Sequence, residues 1–269
     1  MPSVSVGDIK IFYQDVGEGE PLVLIMGFGG DHMAWALQMP DFSAQYRVIA
    51  FDNRGVGQSD APDHPYTIRM MAGDALGLMD ALGVDSAHVI GVSMGGMIAQ
   101  ELALARPDRV RSLHLACTFA RPDAYMLALN AAWREMRIGL GRESTLRTLG
   151  LWLFSPTTYA ERPDFIEALL QNSLANPYPQ SLAGFLRQSE AVAAHDALER
   201  LPAIRCPTLV SVAEDDILVP SRFAREIAAR VPGAELHLVP AAGHGFFLER
   251  PDVFNALSLD FIGRTSPKN

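Results

Sequence analysis

The feature that most restricts the fold of this chain is an alternation of short, continuously apolar segments with segments of helical periodicity. Residues 22–26 are apolar throughout and end at a glycine, and residues 48–51 are apolar and end at an aspartate. Continuous apolar runs of this length are typical of strands that are buried on both faces of a sheet. Because such strands need helices packed against both faces, the alternation predicts an α/β fold with a parallel sheet.

The alternation extends over most of the chain and is interrupted once. Strands are predicted within 1–26 and at 48–51, 88–92, 110–116, 208–213 and 235–239, with helices at 68–82, 94–105, 221–230 and 253–262. Between about 120 and 197, helical stripes follow one another without strands and are separated by prolines. This part of the chain is therefore predicted to be an all-helical insertion of about four helices.

Composition and charge exclude several classes of partner. The chain has 269 residues, of which 49% are hydrophobic, and its net charge of −9 argues against nucleic acid or an anionic membrane as a partner. No apolar run approaches the roughly 18 residues that a membrane span needs. The first ten residues, MPSVSVGDIK, lack the pattern of a secretory signal. We therefore expect a cytoplasmic enzyme.

Neither a metal nor a cofactor is expected. Cys117 and Cys206 lie far apart and without neighbouring histidines or cysteines, which argues against a zinc site or a disulfide framework. The glycine-rich segment 27–30 lacks the phosphate-binding GxxxxGK[ST] pattern, and neither lysine is near it.

The motif that points to chemistry is Gly91-Val92-Ser93-Met94-Gly95, which fits G-x-S-x-G. A predicted strand precedes it and a predicted helix follows it, so Ser93 is expected at a strained strand-to-helix corner. The glycines two positions before and after leave room for that corner, and the helix N-terminus directs its free N–H groups at the reaction centre. Ser93 is therefore the candidate nucleophile.

A serine nucleophile needs a base, and the base needs a carboxylate that orients it. His244 is the candidate base, because it lies between two glycines after the last predicted strand. Asp216 is the candidate carboxylate, four residues before Pro220; Asp215 is the alternative. Asp52, at another strand end, is interpreted as part of a structural turn.

An oxyanion hole should complete this site with two backbone N–H donors. The amide of Met94, which follows the nucleophile, is the first candidate, and the amide of Phe28 in the 27–30 loop is the second.

Taken together, these segments resemble the α/β-hydrolase fold superfamily. The resemblance rests on LVLIMGFGG, FDNRGVGQSD, GVSMGG, AEDDILVP and AGHGFFLERPD, which follow one another in the family's order. It implies a mostly parallel eight-stranded sheet flanked by helices, with 1–119 and 197–269 as the core. Residues 120–196 would be a helical cap, or lid, inserted between strands 6 and 7. One departure is Met26 before Gly27, where many members have histidine.

The segment PYTIRMMAGDALGLMDALGV, together with GVSMGG, is similar to enol-lactonases, acyl-homoserine-lactone hydrolases and related carboxylesterases. The resemblance therefore implies an esterase or lactonase with a Ser-His-Asp triad and an acyl-enzyme. Two alternatives remain open: a cofactor-free haloperoxidase or perhydrolase, and a non-catalytic ligand receptor on the same fold.

The predicted cap gives a further indication of the substrate. Residues 121–198 contain seven Arg and eight Asp or Glu, a net charge of −1, so they offer no basic surface for a dicarboxylate. Trp133, Trp152 and Phe154 are candidates to line an apolar pocket, with His32 beside the 27–30 loop; alternatively, the aromatic residues simply pack the cap helices together. We expect an uncharged small-molecule ester or lactone with an apolar acyl portion, and an acyl-homoserine lactone fits this better than 3-oxoadipate enol-lactone does.

Overall fold

The computed structural model describes residues 2–265, which contain one eight-stranded sheet. The strands are β1 (Ser3–Val6), β2 (Ile9–Val16), β3 (Pro21–Ile25), β4 (Arg47–Phe51), β5 (Ala87–Val92), β6 (Val110–Ala116), β7 (Thr208–Ala213) and β8 (Glu235–Val239). Their order is β1-β2-β4-β3-β5-β6-β7-β8. The β1–β2 and β2–β4 pairs are antiparallel and the other pairs are parallel. The predicted α/β fold with a mostly parallel sheet is confirmed.

The central strands are apolar because helices cover both of their faces. Every residue of β5 and of β7 is buried. In β3, Val23 and Ile25 contribute to one apolar cluster, whereas Leu22 and Leu24 contribute to a second cluster on the other face. This alternation is the two-residue period of a strand, so the sheet separates two hydrophobic layers.

Within residues 2–265, six α-helices accompany the sheet outside the 120–196 segment. They are α1 (Met39–Ser43), α2 (Ile68–Ala81), α3 (Met94–Ala105), α9 (Arg222–Arg230), α10 (Phe246–Glu249) and α11 (Pro251–Thr265). Short 3-10 helices occupy His32–Trp35, Pro107–Arg109 and Leu198–Ala203. The side chain of Thr67 caps the N-terminus of α2 by accepting a hydrogen bond from the Met70 amide, whereas no side chain caps α3. The N-terminus of α3 is therefore free to interact with a ligand.

Five helices lie between β6 and β7, where the sequence predicts about four. They are α4 (Ala124–Gly139), α5 (Gly141–Leu153), α6 (Pro156–Glu161), α7 (Pro163–Ala175) and α8 (Leu182–Ala193). Pro156 and Pro163 occupy the first turns of α6 and α7, where proline has the required φ and its missing N–H costs nothing. Within residues 2–265, none of the helices is both long and apolar enough to cross a membrane. That this segment is a cap over the core remains a proposal.

Candidate active site

Ser93 lies at the sharp corner where β5 ends and α3 begins. Its φ of 56° and ψ of −119° are unusual for a residue with a side chain. Two close backbone approaches allow this corner. A Cβ atom on Gly91 would clash with the carbonyl of Gly95, and one on Gly95 would clash with the carbonyl of Ile25 in β3. Glycine is therefore required on both sides of Ser93, as the G-x-S-x-G pattern predicts.

Hydrogen bonds hold the strained backbone of Ser93 in place. The Ser93 amide donates to the carbonyl of Ala116 at the end of β6, at 2.9 Å. The Ser93 carbonyl accepts from Thr118 Oγ1 at 2.7 Å and from the Gly96 amide at 2.9 Å. An unfavourable backbone conformation persists only where its surroundings fix it, and these three bonds do so here.

His244 and Asp216 are joined by a hydrogen bond. His244 lies in the loop after β8, and its Nδ1 is 2.9 Å from Asp216 Oδ2. The other carboxylate oxygen of Asp216 accepts from the Val219 amide at 2.7 Å. The side chains of both residues are buried, whereas the neighbouring Asp215 is exposed. The geometry therefore pairs His244 with Asp216 rather than with Asp215.

Ser93 and Asp216 both lie close to Cys117, which follows β6. Burial and then the negative charge of Asp216 raise the pKa of the Cys117 thiol well above its usual value, although a hydrogen bond with the Ser93 backbone opposes the rise.

Along the described chain, no hydrogen bond joins Ser93 Oγ to His244. Catalytic hydrogen bonds are often long before substrate binds. The structure thus brings the Asp216–His244 pair together and leaves the Ser93–His244 bond unformed.

The two amides that sequence reasoning assigns to the oxyanion hole donate no hydrogen bond to any protein group in residues 2–265. Phe28 and Met94 carry these amides. A Cβ atom on Gly27 would lie 3.6 Å from Ser93 Oγ, so the 27–30 loop passes directly beside the candidate nucleophile. Free N–H groups close to a serine hydroxyl are suited to stabilise a negative oxygen.

A residue that sequence reasoning missed contacts this loop. Gln188 of α8 is fully buried, accepts the Gly29 amide at 3.0 Å and donates to the Arg54 carbonyl at 2.8 Å. The ring of Phe28 packs edge-on against Phe185 of the same helix, with 4.8 Å between the ring centroids. Helix α8 therefore contributes to the conformation of the 27–30 loop. The sequence carries no local signal for it, because the contact joins residues far apart in the chain.

His32 is buried against Asp52. Its Nδ1 lies 2.6 Å from Asp52 Oδ1, and its amide donates to the same oxygen at 2.8 Å. Burial lowers the pKa of His32, but the hydrogen bond and charge of Asp52 outweigh this and raise it overall. Asp52 also accepts the amide of Gln58, so it organises a turn.

An apolar cavity opens onto Ser93 between the sheet and helices α4 and α8. It has about 520 Å³ of empty space, part of which is open to solvent. Its lining consists of Phe28, Ser93, Met94, Met97, Phe119, Pro122, Met126, Leu129, Asn130, Trp133, Ser189, Val192, Ala193, Leu218 and Val219. Most of these side chains are apolar, and Asn130 and Ser189 are hydrogen-bonded to each other.

The four predicted pocket residues occupy different positions. Trp133 lines the cavity, whereas Trp152 is absent from the lining and packs against Trp133, with 6.0 Å between the ring centroids. Phe154 lies against Gly245, next to His244. His32 is absent from the lining and bonds to Asp52 instead. In residues 2–265, no group of three or more His, Cys, Asp or Glu side chains could hold a metal ion.

Comparison with known proteins identifies similar chains. The family model described as alpha/beta hydrolase fold matches residues 20–251. A protein of Azorhizobium caulinodans named "Putative carbamate hydrolase RutD" is 36% identical, over 98% of this chain and 98% of its own. A protein of Mycobacterium tuberculosis H37Rv named "Putative non-heme bromoperoxidase BpoC" is 33% identical, over 94% of this chain and 98% of its own. Among solved structures, the enol-lactonase from Burkholderia xenovorans LB400 has a TM-score of 0.90 and 28% identity, covering 97% of this chain and all of that one.

Proposed function

The chain belongs to the α/β-hydrolase fold family and is a hydrolase, and we propose that it cleaves carboxylic ester or lactone bonds through Ser93. The observation that carries the proposal is the geometry of Ser93, held at φ 56° beside two free amides and an apolar cavity. A serine in this position is exposed to substrate at the same edge of the sheet as the buried Asp216–His244 pair.

In the proposed reaction, His244 removes the proton from Ser93 Oγ as that oxygen attacks the carbonyl carbon. The bond to the alcohol then breaks, and His244 gives its proton to the departing oxygen. Water next attacks the acyl-enzyme with His244 again as base, which releases the acid and restores Ser93. General acid–base catalysis of this kind contributes about 10² to 10⁴ in rate.

Asp216 and the two free amides have separate roles in this mechanism. Asp216 would accept a hydrogen bond from the Nδ1–H of His244, which leaves Nε2 unprotonated and able to act as the base. The amides of Phe28 and Met94 would stabilise the negative oxygen of the tetrahedral intermediate. One such donor is worth about 10² to 10³ in kcat.

The cavity favours a substrate with an uncharged, apolar acyl group. Its lining contains no Arg, Lys, Asp or Glu side chain, so a carboxylate placed there would be desolvated without a partner. A lactone with an apolar acyl chain, such as an N-acyl homoserine lactone, meets this condition better than a dicarboxylic enol-lactone does.

The names of two relatives extend the set of reactions to test. A carbamate, like an ester, is attacked at a carbonyl carbon, and the Azorhizobium relative's name refers to such substrates. The Mycobacterium relative is named a bromoperoxidase, which makes peroxide the second candidate for the acyl acceptor in place of water.

The test is a substrate panel measured by kcat/KM. It includes p-nitrophenyl esters of increasing acyl length, simple lactones, N-acyl homoserine lactones and a carbamate, with bromination in acetate and peroxide measured in parallel. Ser93→Ala should reduce hydrolysis by at least about 10³-fold, because it removes the group that attacks. Ser5→Ala, at an exposed serine of β1, is the matched control and should match the unmodified protein. Undiminished hydrolysis by Ser93→Ala would refute the proposal.

A further inference from the structure

A buried carboxylate lies next to the loop that carries His244. Glu249, the last residue of α10, is 3% exposed. Its Oε1 accepts the amide of Gly243, the residue before His244, at 2.7 Å. Its Oε2 accepts the amide of Ser155 at 3.0 Å, Ser155 Oγ at 2.8 Å and Thr158 Oγ1. One side chain therefore bonds both the histidine loop and the start of α6.

The same part of the inserted helices contacts the other side of His244. The amide of Gly245 donates to the carbonyl of Leu153 at 2.6 Å. The backbones also approach closely at Gly243, where a Cβ atom would lie 2.8 Å from the Ser155 nitrogen and 2.9 Å from the Leu153 oxygen. Residues 153–155, just before α6, thus hold both glycines that flank His244. Gly245 bonds directly to Leu153, and Gly243 is linked to Ser155 through Glu249.

Glu249 is surrounded by neutral donors rather than by a cation. Within residues 2–265, no basic side chain forms a salt bridge with its carboxylate; Arg162 donates instead to its backbone carbonyl at 3.0 Å. A buried carboxylate is costly unless its hydrogen-bonding capacity is satisfied. Its four donors come from two segments that are about 90 residues apart in the chain, so the carboxylate is satisfied only while these segments remain together.

We infer that Glu249 is a positioning residue, which fixes the backbone of Gly243 against Ser155 and Thr158 and so keeps the ring of His244 aligned between Asp216 and Ser93. The inference rests on the proposed function, since it assumes that His244 is the base. It also assigns a role to the inserted helices besides covering the cavity: their residues 153–158 are part of the support of the catalytic histidine.

The test is Glu249→Gln, which keeps the size of the side chain. It replaces one accepting oxygen with an NH₂ group, and both oxygens of Glu249 accept hydrogen bonds, so this NH₂ group would face another donor. With a small ester, kcat should fall by up to about 10²-fold with little change in KM, as expected when a catalytic group is misplaced by about 1 Å. The proton NMR signal of His244 Nδ1–H, which is hydrogen-bonded to Asp216, should shift or broaden.

Two further variants make the test specific. Glu161→Gln changes an exposed glutamate of α6 and should alter neither kcat nor the NMR signal. Thr158→Val removes one donor to Glu249 at nearly constant volume and should give a smaller effect in the same direction. If Glu249→Gln does not fold, Thr158→Val decides. The inference would be overturned if a folded Glu249→Gln protein had normal kcat and an unchanged His244 signal. If Glu249→Gln does not fold, the same result in Thr158→Val would overturn it.

The NMR measurement needs no substrate, which separates this inference from the proposed function. A protein without esterase activity whose His244 signal changes in Glu249→Gln would refute the proposed function and support the positioning by Glu249. Conversely, if the protein is active and Glu249→Gln changes neither kcat nor the His244 signal, the proposed function is supported and the positioning by Glu249 is refuted.

Discussion

Two adjacent aspartates show how strongly the surroundings of a residue determine its role. Asp216 is buried, and each of its carboxylate oxygens has a defined partner, His244 or the Val219 amide. Asp215 is exposed, and its backbone amide bonds to the carbonyl of Ala242. A carboxylate with fixed orientation can hold an imidazole in one tautomer, so Asp216 is suited to this role and Asp215 is not.

The corresponding prediction compares two substitutions that change charge in the same way. Asp216→Asn should lower kcat by about 10⁴-fold, because an amide at this position favours the wrong tautomer of His244. Asp215→Asn should leave kcat within about twofold, since its side chain is exposed. Steady-state kinetics on one ester suffice, and equal losses in the two variants would contradict the assignment.

Residue roles could be predicted from the sequence only where a local pattern carries them. Ser93 and His244 each have glycines nearby and follow a strand, and that pattern makes both of them candidates. The spacing to Pro220 favours Asp216 over the adjacent Asp215, and the observed bond to His244 agrees with that choice. Gln188 and Glu249 were missed. Gln188 bonds to Gly29 and Arg54, and Glu249 bonds to Ser155 and Thr158, all of them far away in the chain, and no spacing signals such contacts.

At the scale of elements, the corner between β5 and α3 requires three elements to approach closely. The backbone of Gly95 touches the end of β3, and a Cβ atom on Gly96 would clash with Thr118 beyond β6. These approaches bring the N-terminus of α3 over the sheet edge, where its free amides can face a ligand. The small residues are therefore a requirement of packing as well as of chemistry.

This packing can be tested with two glycines that have opposite surroundings. Gly95→Ala should lower the free energy of unfolding by about 3 kcal/mol, because the added methyl group has no space beside Ile25. Gly73→Ala, at an exposed position of α2 with no atom within 4 Å of the new Cβ, should instead raise it by up to about 1 kcal/mol. Urea unfolding measures both, and equal stability of the two variants would show that the corner is not tightly packed.

Elements with clear periodicity were predicted well, and short ones were not. The predicted bounds of β6, β7, β8 and α3 coincide with those observed. Helices α1 and α10 have five and four residues, too few for a helical period to emerge from the sequence. In the inserted segment, the short helix α6 between two prolines accounts for the fifth helix.

At the scale of the whole molecule, the order of the strands determines where the distant candidate residues lie. Strands β5, β6, β7 and β8 are consecutive neighbours and run parallel, so their carboxyl ends share one edge. Ser93 follows β5, while Asp216 and His244 follow β7 and β8. A chain that formed the same elements in another order would separate these residues, which is why local sequence alone cannot give the site.

Buried histidines make the stability of the whole molecule depend on pH. Burial lowers the pKa of His114 to about 3 and that of His195 to about 4. Because these folded values lie below the unfolded value of 6.5, the stability from keeping each ring neutral is present above about pH 6.5. This stability is lost as the pH falls from 6.5 towards 4 for His195 and towards 3 for His114, because over that range the unfolded chain gains protons and the folded chain does not. His32, whose pKa is raised, acts in the opposite direction.

His195→Gln isolates one of these contributions. Between pH 7 and pH 5, the unmodified protein should lose about 2 kcal/mol more stability than the variant, because the variant has no ring to protonate at this position. The comparison uses urea unfolding at the two pH values within each protein, so any constant effect of the substitution cancels. The same pH dependence in both proteins would contradict burial of a neutral His195.

The most direct test of the proposed chemistry is covalent labelling of the nucleophile with a fluorophosphonate, followed by mass spectrometry of the intact protein and its peptides. Attack by Ser93 Oγ on phosphorus would release fluoride and leave one phosphonyl group on that oxygen. We predict a single adduct on the peptide containing Ser93, absent in Ser93→Ala and formed far more slowly in His244→Gln. Labelling at another residue, or an equal rate in His244→Gln, would contradict a serine nucleophile activated by that histidine.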